Sequence, residues 1–263
     1  LMHRTWGGIV AGALFVLPSL LILIALSWLY IAHGQVPLVA GLFYGIKPAV
    51  TAIVVQAAHR IGSRALKNRA LWAIAALSFL AIFALQLPFP LIVLGAAALG
   101  WLGGHFRPQH FQLGGGHGAA KASFGPALID DDTPPPEHAH FKPSRLAAVP
   151  AGSRALWAVP MAWLVSRLGW EGAYTQMGWF FTKAALLTFG GAYAVLPYVY
   201  QGAVEQHRWL SATQMIDGLA LGETTPGPLI MVVAFVGFVG GWLKQVLGPD
   251  ALLLGGALAA TVV

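Results

Sequence analysis

Residues 217–242 read DGLALGETTPGPLIMVVAFVGFVGGW. A Thr-Thr-Pro-Gly-Pro knot, Thr224 to Pro228, interrupts an otherwise long apolar helix, and Glu223 stands immediately before it. From Gly227 to Trp242 there is no charge. A water-soluble core rarely needs such a segment. A helix broken inside a bilayer presents free backbone groups and helix ends at membrane depth, an arrangement that suits transport.

Composition points the same way. The chain has 263 residues, of which 57% are hydrophobic and 9% charged, whereas soluble domains carry about 25% charge. A soluble surface cannot be made from so little. Uncharged windows run from Thr5 to Ile46, Ala70 to Gly104, Ala184 to Val204 and Thr224 to Leu243, each long enough for one or two spans of about 20 residues. The class is an all-α polytopic membrane protein. Without cysteine, disulfide scaffolds, thiol catalysis and thiolate metal sites are excluded. The net charge of +6 resides in loops, so it speaks to topology and not to nucleic acid. No cleavable signal pattern opens the chain. It starts and stops within membrane-grade sequence, and so reads as a fragment.

The first span is Trp6 to Ala32, with Pro18 and Ser19 near its middle. Proline there removes a helix hydrogen bond, and Ser19 can satisfy the freed carbonyl; a tolerated kink and a functional one both fit. The second span, Leu38 to Ala58, places Lys47 and Pro48 near mid-membrane by helix rise. A lysine at that depth costs roughly 2.5–3.5 kcal/mol on insertion scales and calls for a partner or a polar cavity, unless it snorkels from a tilted helix. Arg60, Arg64, Lys67 and Arg69 follow without an acid, which marks a cytoplasmic loop. Ala70 to Gly104 reads as a helical hairpin turning at Gln86 to Pro90.

The composition changes at His105. Residues 105–152 read as a flexible cytoplasmic linker, separating a first transmembrane region, 1–104, from a second, 153–263. Asp130 to Asp132 with His138 and His140 have no metal-ligand spacing. Arg154 to Trp170 is amphipathic and suits an interfacial helix. Gly178 to Gln201 is a span interrupted at Gly190, Gly191, Ala192 and Tyr193 and again at Pro197, with Lys183 snorkelling from its first turns. Glu205 to Ser211 is a short polar loop.

At the knot, two half-helices are expected to meet. The second starts near Pro228, with Thr224 and Thr225 as capping hydroxyls. Its N-terminus, with unpaired N–H groups and the positive dipole end, favours an anion. Lys47, on another broken helix, could complete the site for a dianionic oxyanion. Glu223 fits there if it is protonated at one stage of the cycle, coupling proton and anion movement. The plain structural alternative makes the knot only a break and Glu223 only a buried polar contact. If the half-helices form a re-entrant hairpin, the span after Lys244 runs opposite to the first. Gly256 to Val263 is weakly similar to Gly7 to Leu14, too weakly to establish an inverted repeat.

Four strings in order, FVLPS (Phe15 to Ser19), GIKPAV (Gly45 to Val50), FGGAYAVLPYV (Phe189 to Val199) and DGLALGETTPGPLIMV (Asp217 to Val232), resemble the chromate ion transporter family. The resemblance covers all but the linker. It implies a bacterial inner-membrane protein of two homologous, oppositely oriented halves that expels chromate, a sulfate-like dianion, using the proton gradient and no cofactor. It further implies function for Phe189, Gly190, Gly191, the knot from Glu223 to Pro228 (Thr224, Thr225, Pro226, Gly227), Lys47, Pro48, Pro18 and Ser19, with Tyr193 and Asp217 as neighbouring candidates. The family would carry further Phe-Gly-Gly and Pro-Gly-Pro elements before Leu1 and more spans after Val263, and Ala234 stands where a glutamine is expected. A sulfate or other oxyanion carrier on the same scaffold is the alternative within transport. A hydrolase lacks its nucleophile motif, and a purely structural or assembly membrane protein leaves Lys47 and the broken helices without a reason. Oligomeric state is not legible.

Overall fold

The computed structural model describes residues 4–108, 143–188 and 192–263. The Asp130–Asp132, His138 and His140 cluster and the Phe189, Gly190, Gly191 string lie outside the described residues. Among the described residues ten α-helices follow in order: α1 Arg4–His33, α2 Pro37–Ala65, α3 Arg69–Phe83, α4 Phe89–Phe106, α5 Pro143–Leu168, α6 Ala173–Leu186, α7 Ala192–Tyr200, α8 Ala212–Thr224, α9 Val232–Leu243 and α10 Leu252–Val262. Three of them, α1, α2 and α4, are long and apolar enough to cross a bilayer. The protein is all-α with several membrane-spanning helices.

Local chemistry sets the ends. Pro37 opens α2, where its missing N–H costs nothing. Asn68 caps α3 by accepting from the Leu71 N–H at 2.8 Å. Ser211 and Gln214 form a reciprocal capping box at the start of α8, satisfying two otherwise orphaned donors. The α3–α4 hairpin turns where expected, through Gln86 at φ +49°.

Several boundaries differ from expectation. The basic residues Arg60 and Arg64 extend α2 to Ala65 instead of forming a loop, since arginine is a good helix former. Neither Pro18 nor Pro48 breaks its helix; apolar packing and a single lost bond are compatible with continuity. Helix α4 runs on to Phe106 and α5 begins at Pro143, inside the stretch read as linker. That helix therefore starts before Arg154 and ends at Leu168, short of Trp170. Lys183 lies in the last turn of α6, not the first turns of a span, where a cation complements the helix dipole; its ammonium sits 6.0 Å from the Trp179 ring centroid.

Small residues build the centre. On α9, Gly237 and Gly241 face Ala259 and Gly255 of α10, and a Cβ at Gly241 would lie 2.6 Å from Ala259 Cβ and 2.7 Å from the Gly255 carbonyl oxygen. Close backbone approach through small residues four apart is a membrane-helix packing mode. Gly241→Ala is expected to cost roughly 1–3 kcal/mol through overpacking, read as a lowered unfolding temperature in detergent; an unchanged temperature would show the two helices free to separate.

Facing residues set the helix directions. Gly218 and Gly222 of α8 face Phe235 and Val232, so α8 and α9 form an antiparallel hairpin with the knot at its tip. Ser19 lies against Gly227 and the Tyr30 ring lies 5.5 Å from Phe235, so α1 runs alongside α9 in the same sense. Helix α10 therefore runs opposite to α1, as expected for the span after Lys244.

Around this centre, α2 packs on α8, and α6 packs on α9 and α10. The α3–α4 hairpin is peripheral, with no buried residue on either helix. Buried Gln201, in a π-helical turn after α7, clasps its turn: Nε2 donates to the Leu87 carbonyl at 2.9 Å and Oε1 accepts from the Phe89 N–H at 2.9 Å.

His207, in the loop between α7 and α8, stacks on Trp209 at 4.4 Å. Burial first, then the charges of Lys183 and Lys244, hold its pKa below the usual value. The unfolded chain therefore binds this proton more readily, near pH 6.5. Stability is full above that pH and is lost as pH falls below it. A fall in unfolding temperature on acidification that is smaller in His207→Gln than in the parent is the expected result.

Candidate functional site

Helix α8 is 13 residues long and α9 12, each about 20 Å by helix rise and short of a bilayer core of about 30 Å. They are half-length arms joined by Thr225 to Pro228 and a 3-10 turn at Leu229–Met231. The tip is shaped by Gly227 at φ +146°, a conformation that L side chains rarely adopt.

The threonines act on the other arm from the one expected. Thr224 Oγ1 donates to the Ala220 and Leu221 carbonyls, each at 3.1 Å, and Thr225 Oγ1 to the Gly222 carbonyl at 3.1 Å. They close the C-terminal end of α8 by local back-bonding. The second arm starts near Pro228 with a 3-10 turn in which the Met231 N–H donates to the Pro228 carbonyl at 2.9 Å; no side chain caps it, and the N–H groups ahead of that bond lack intrahelical partners.

Ser19 of α1 approaches this uncapped end. A Cβ at Gly227 would lie 2.5 Å from Ser19 Oγ. Ser19 is fully buried and its hydroxyl has no hydrogen-bond partner among the described residues. It does not relieve the carbonyl freed by Pro18, as the sequence suggested; it points at the knot instead. The FVLPS string and the knot thus meet.

Lys47 goes elsewhere. Its Nζ lies 3.0 Å from Asp217 Oδ1, without the alignment of a hydrogen bond, and Tyr30 donates its hydroxyl to Asp217 Oδ2 at 2.8 Å. The Asp217 side chain is 4% exposed and that of Lys47 35%. Ser19 and Tyr30, which mark the knot and Asp217 on α1, are three turns apart, about 16 Å along the axis. The lysine therefore stands well away from the positive helix end that it was expected to complete. Pro48 follows it within the continuous α2.

Glu223 ends the first arm, beside the knot. Its Oε1 accepts a 2.5 Å hydrogen bond from the Tyr193 hydroxyl, which comes from the first turn of α7. An apolar pocket of about 370 Å³ lies beside this pair, lined by Val54, Ala58, Leu196 and Met215 among others. Pro226 is exposed at the hairpin tip.

Tyr30 and Gln201 are the contributors that sequence reasoning did not single out. Each is a polar group in an uncharged window, and that was the available signal. An aromatic near a span end reads as an interfacial anchor, which concealed Tyr30. Among the described residues no cluster of His, Cys, Asp or Glu could hold a metal ion.

A family model described as chromate transporter matches residues 1–101 and 175–263. The chain belongs to the chromate transporter family. A chromate transport protein of Pseudomonas aeruginosa is 36% identical over 97% of this chain and 52% of its own length. One from Cupriavidus metallidurans is 27% identical over 90% of this chain and 50% of its own. A probable chromate transport protein of Synechococcus elongatus is 28% identical over 89% and 51%. The chain thus spans about half the length of these curated relatives. No solved structure matches it. As a member of the chromate transporter family the chain is a multi-pass membrane protein.

Proposed function

We propose that the protein carries a dianionic oxyanion, chromate in preference to sulfate, outward across a bacterial inner membrane, with proton linkage. The observation that carries this reading is the uncapped helix end at Pro228, faced by the buried, unpaired hydroxyl of Ser19. Helix N-termini attract anions through free N–H groups and the dipole, and a hydroxyl adds a donor suited to a tetrahedral oxyanion. Tyr193, Glu223, Thr224, Thr225, Pro226 and Gly227 frame this end, and Gly190 and Gly191 precede Tyr193 in the chain. The family and the relatives named for chromate transport favour chromate; sulfate shares its charge and shape.

In the proposed arrangement the α8–α9 hairpin is re-entrant, with its tip at membrane depth, and residues 105–152 lie on the cytoplasmic side. The basic run from Arg60 to Arg69 supports that orientation. The opposed directions of α1 and α10 support two inverted halves. Glu223 and Asp217 are the two carboxylates near the path that could carry a proton.

The test is expression of the intact protein in a chromate-sensitive host, with accumulation of labelled chromate measured against an excess of sulfate. Lower accumulation that sulfate does not reverse is expected. Unchanged accumulation, with the protein shown to be in the membrane, removes the chromate reading.

A further inference from the structure

We propose that Lys47 is a second station for the transported oxyanion, gated by Asp217: the ionised carboxylate holds the lysine, and the protonated one releases it to the anion. The inference rests on the transport reading above and specifies which carboxylate carries the proton.

Three helices each supply one group: Tyr30 from α1, Lys47 from α2 and Asp217 from α8. Their exposure is unequal. The carboxylate is sealed at 4%, whereas the ammonium is open at 35%. A pair that served only to neutralise a buried charge repays its desolvation only when its geometry is well aligned. Here the contact lacks hydrogen-bond alignment, and one face of the cation is free. An oxyanion can reach Lys47 without reaching Asp217.

Charge decides when it can stay. With Asp217 ionised the pair sums to zero, and a dianion would make the site −2, with two anions competing for one ammonium. With Asp217 protonated the site is +1 before the anion and −1 after it. The step balances simply. A hydronium ion gives its proton to Oδ1 and leaves as water, Tyr30 still donates to Oδ2, and Lys47 remains an ammonium and turns to the oxyanion. No covalent bond other than the O–H forms or breaks. Bound together, proton and dianion add a net charge of −1 to the station.

The groups facing Asp217 are few. Helix α1 presents Tyr30 and helix α2 presents Lys47. Helix α9 and the 3-10 turn before it carry no ionisable side chain. Glu223, six positions further along α8, is engaged by Tyr193. Asp217 lies seven positions before Thr224, so the station is about 10 Å from the end of α8 by helix rise. That is a step along a path and not a second contact to one bound ion.

The test is equilibrium binding of labelled chromate to the full-length protein in lipid nanodiscs across a pH series, for wild type, Asp217→Asn and Glu223→Gln. Taking the ratio of dissociation constants at each pH cancels chromate's own protonation. The wild-type to Asp217→Asn ratio is expected to be near one at low pH and to rise by up to about tenfold per pH unit once the carboxylate ionises. Glu223→Gln, whatever it does to the affinity itself, should keep the wild-type pH dependence. A ratio that stays constant across the series overturns the gate, as does a Glu223→Gln variant that alone loses the pH dependence. If Asp217→Asn does not fold, Tyr30→Phe carries the test: loss of the hydroxyl that donates to Oδ2 should shift the onset, and an unmoved onset overturns the proposal. Absence of chromate binding by wild type at every pH removes the transport reading and the gate together, whereas binding with a flat ratio removes the gate alone.

Discussion

Gly227→Ala is expected to abolish transport and to destabilise the protein by roughly 2–4 kcal/mol. Two costs add. At φ +146° an L side chain is strained by about 1–3 kcal/mol. The new methyl would also lie 2.5 Å from Ser19 Oγ and 2.6 Å from Ser19 Cβ, inside van der Waals contact. Either α1 moves away from the knot or the tip of the α8–α9 hairpin refolds. Both would displace the serine hydroxyl from the helix end. Thermal unfolding in detergent and chromate accumulation in cells read the two effects separately. The double variant Ser19→Gly with Gly227→Ala should recover the steric part and leave the backbone part. A fully stable, fully active Gly227→Ala would mean that the tip is not held as described.

Lys47→Met is expected to cost about 3 kcal/mol, the low end for breaking a buried ion pair, because the lysine is partly exposed and the aspartate is not. The loss comes mainly from leaving the Asp217 carboxylate sealed with a tyrosine hydroxyl as its remaining partner. Replacing both members, Lys47→Met with Asp217→Asn, should restore most of that stability, since an uncharged pair needs no counter-ion. A double-mutant cycle isolates the coupling. Additive losses, with no recovery in the double variant, would show that the two charges do not sense each other. The variants also separate stability from transport: the double variant should fold, yet lack the anion station that the lysine provides.

Much of the fold was legible because bilayer and protein interior impose the same demand over long windows. Uncharged runs gave α1, α2 and the α3–α4 hairpin, and Pro88 with Gln86 marked the turn. The break at Thr224 to Pro228 was legible because two prolines remove donors and the glycine between them permits a backbone that others avoid. The same signal misled at Pro48, where a broken helix was expected. One proline removes a single hydrogen bond, which a long apolar helix tolerates. Arg60 and Arg64 misled differently, since charge says which side of a membrane a segment prefers, not whether it is helical.

The partners at the site were the least legible part. Threonine beside a helix start suggests a cap, yet Thr224 and Thr225 follow α8 closely enough to bond back to its carbonyls, and local geometry settled the competition. Lys47 calls for a partner at its depth, and Glu223 and Asp217 stand six residues apart on one helix. They differ by about one and two-thirds turns, so they point to different neighbours: Asp217 to α1 and α2, Glu223 to α7. Alone, then, the sequence determined the membrane class, the family and the position of the broken helix, because those depend on composition and on residues adjacent in the chain. Tertiary structure decided that Ser19 faces the knot and that Asp217 holds Lys47. Those contacts join helices far apart in the chain, and which faces meet depends on close packing of Gly218, Gly222, Gly237 and Gly241 against their neighbours.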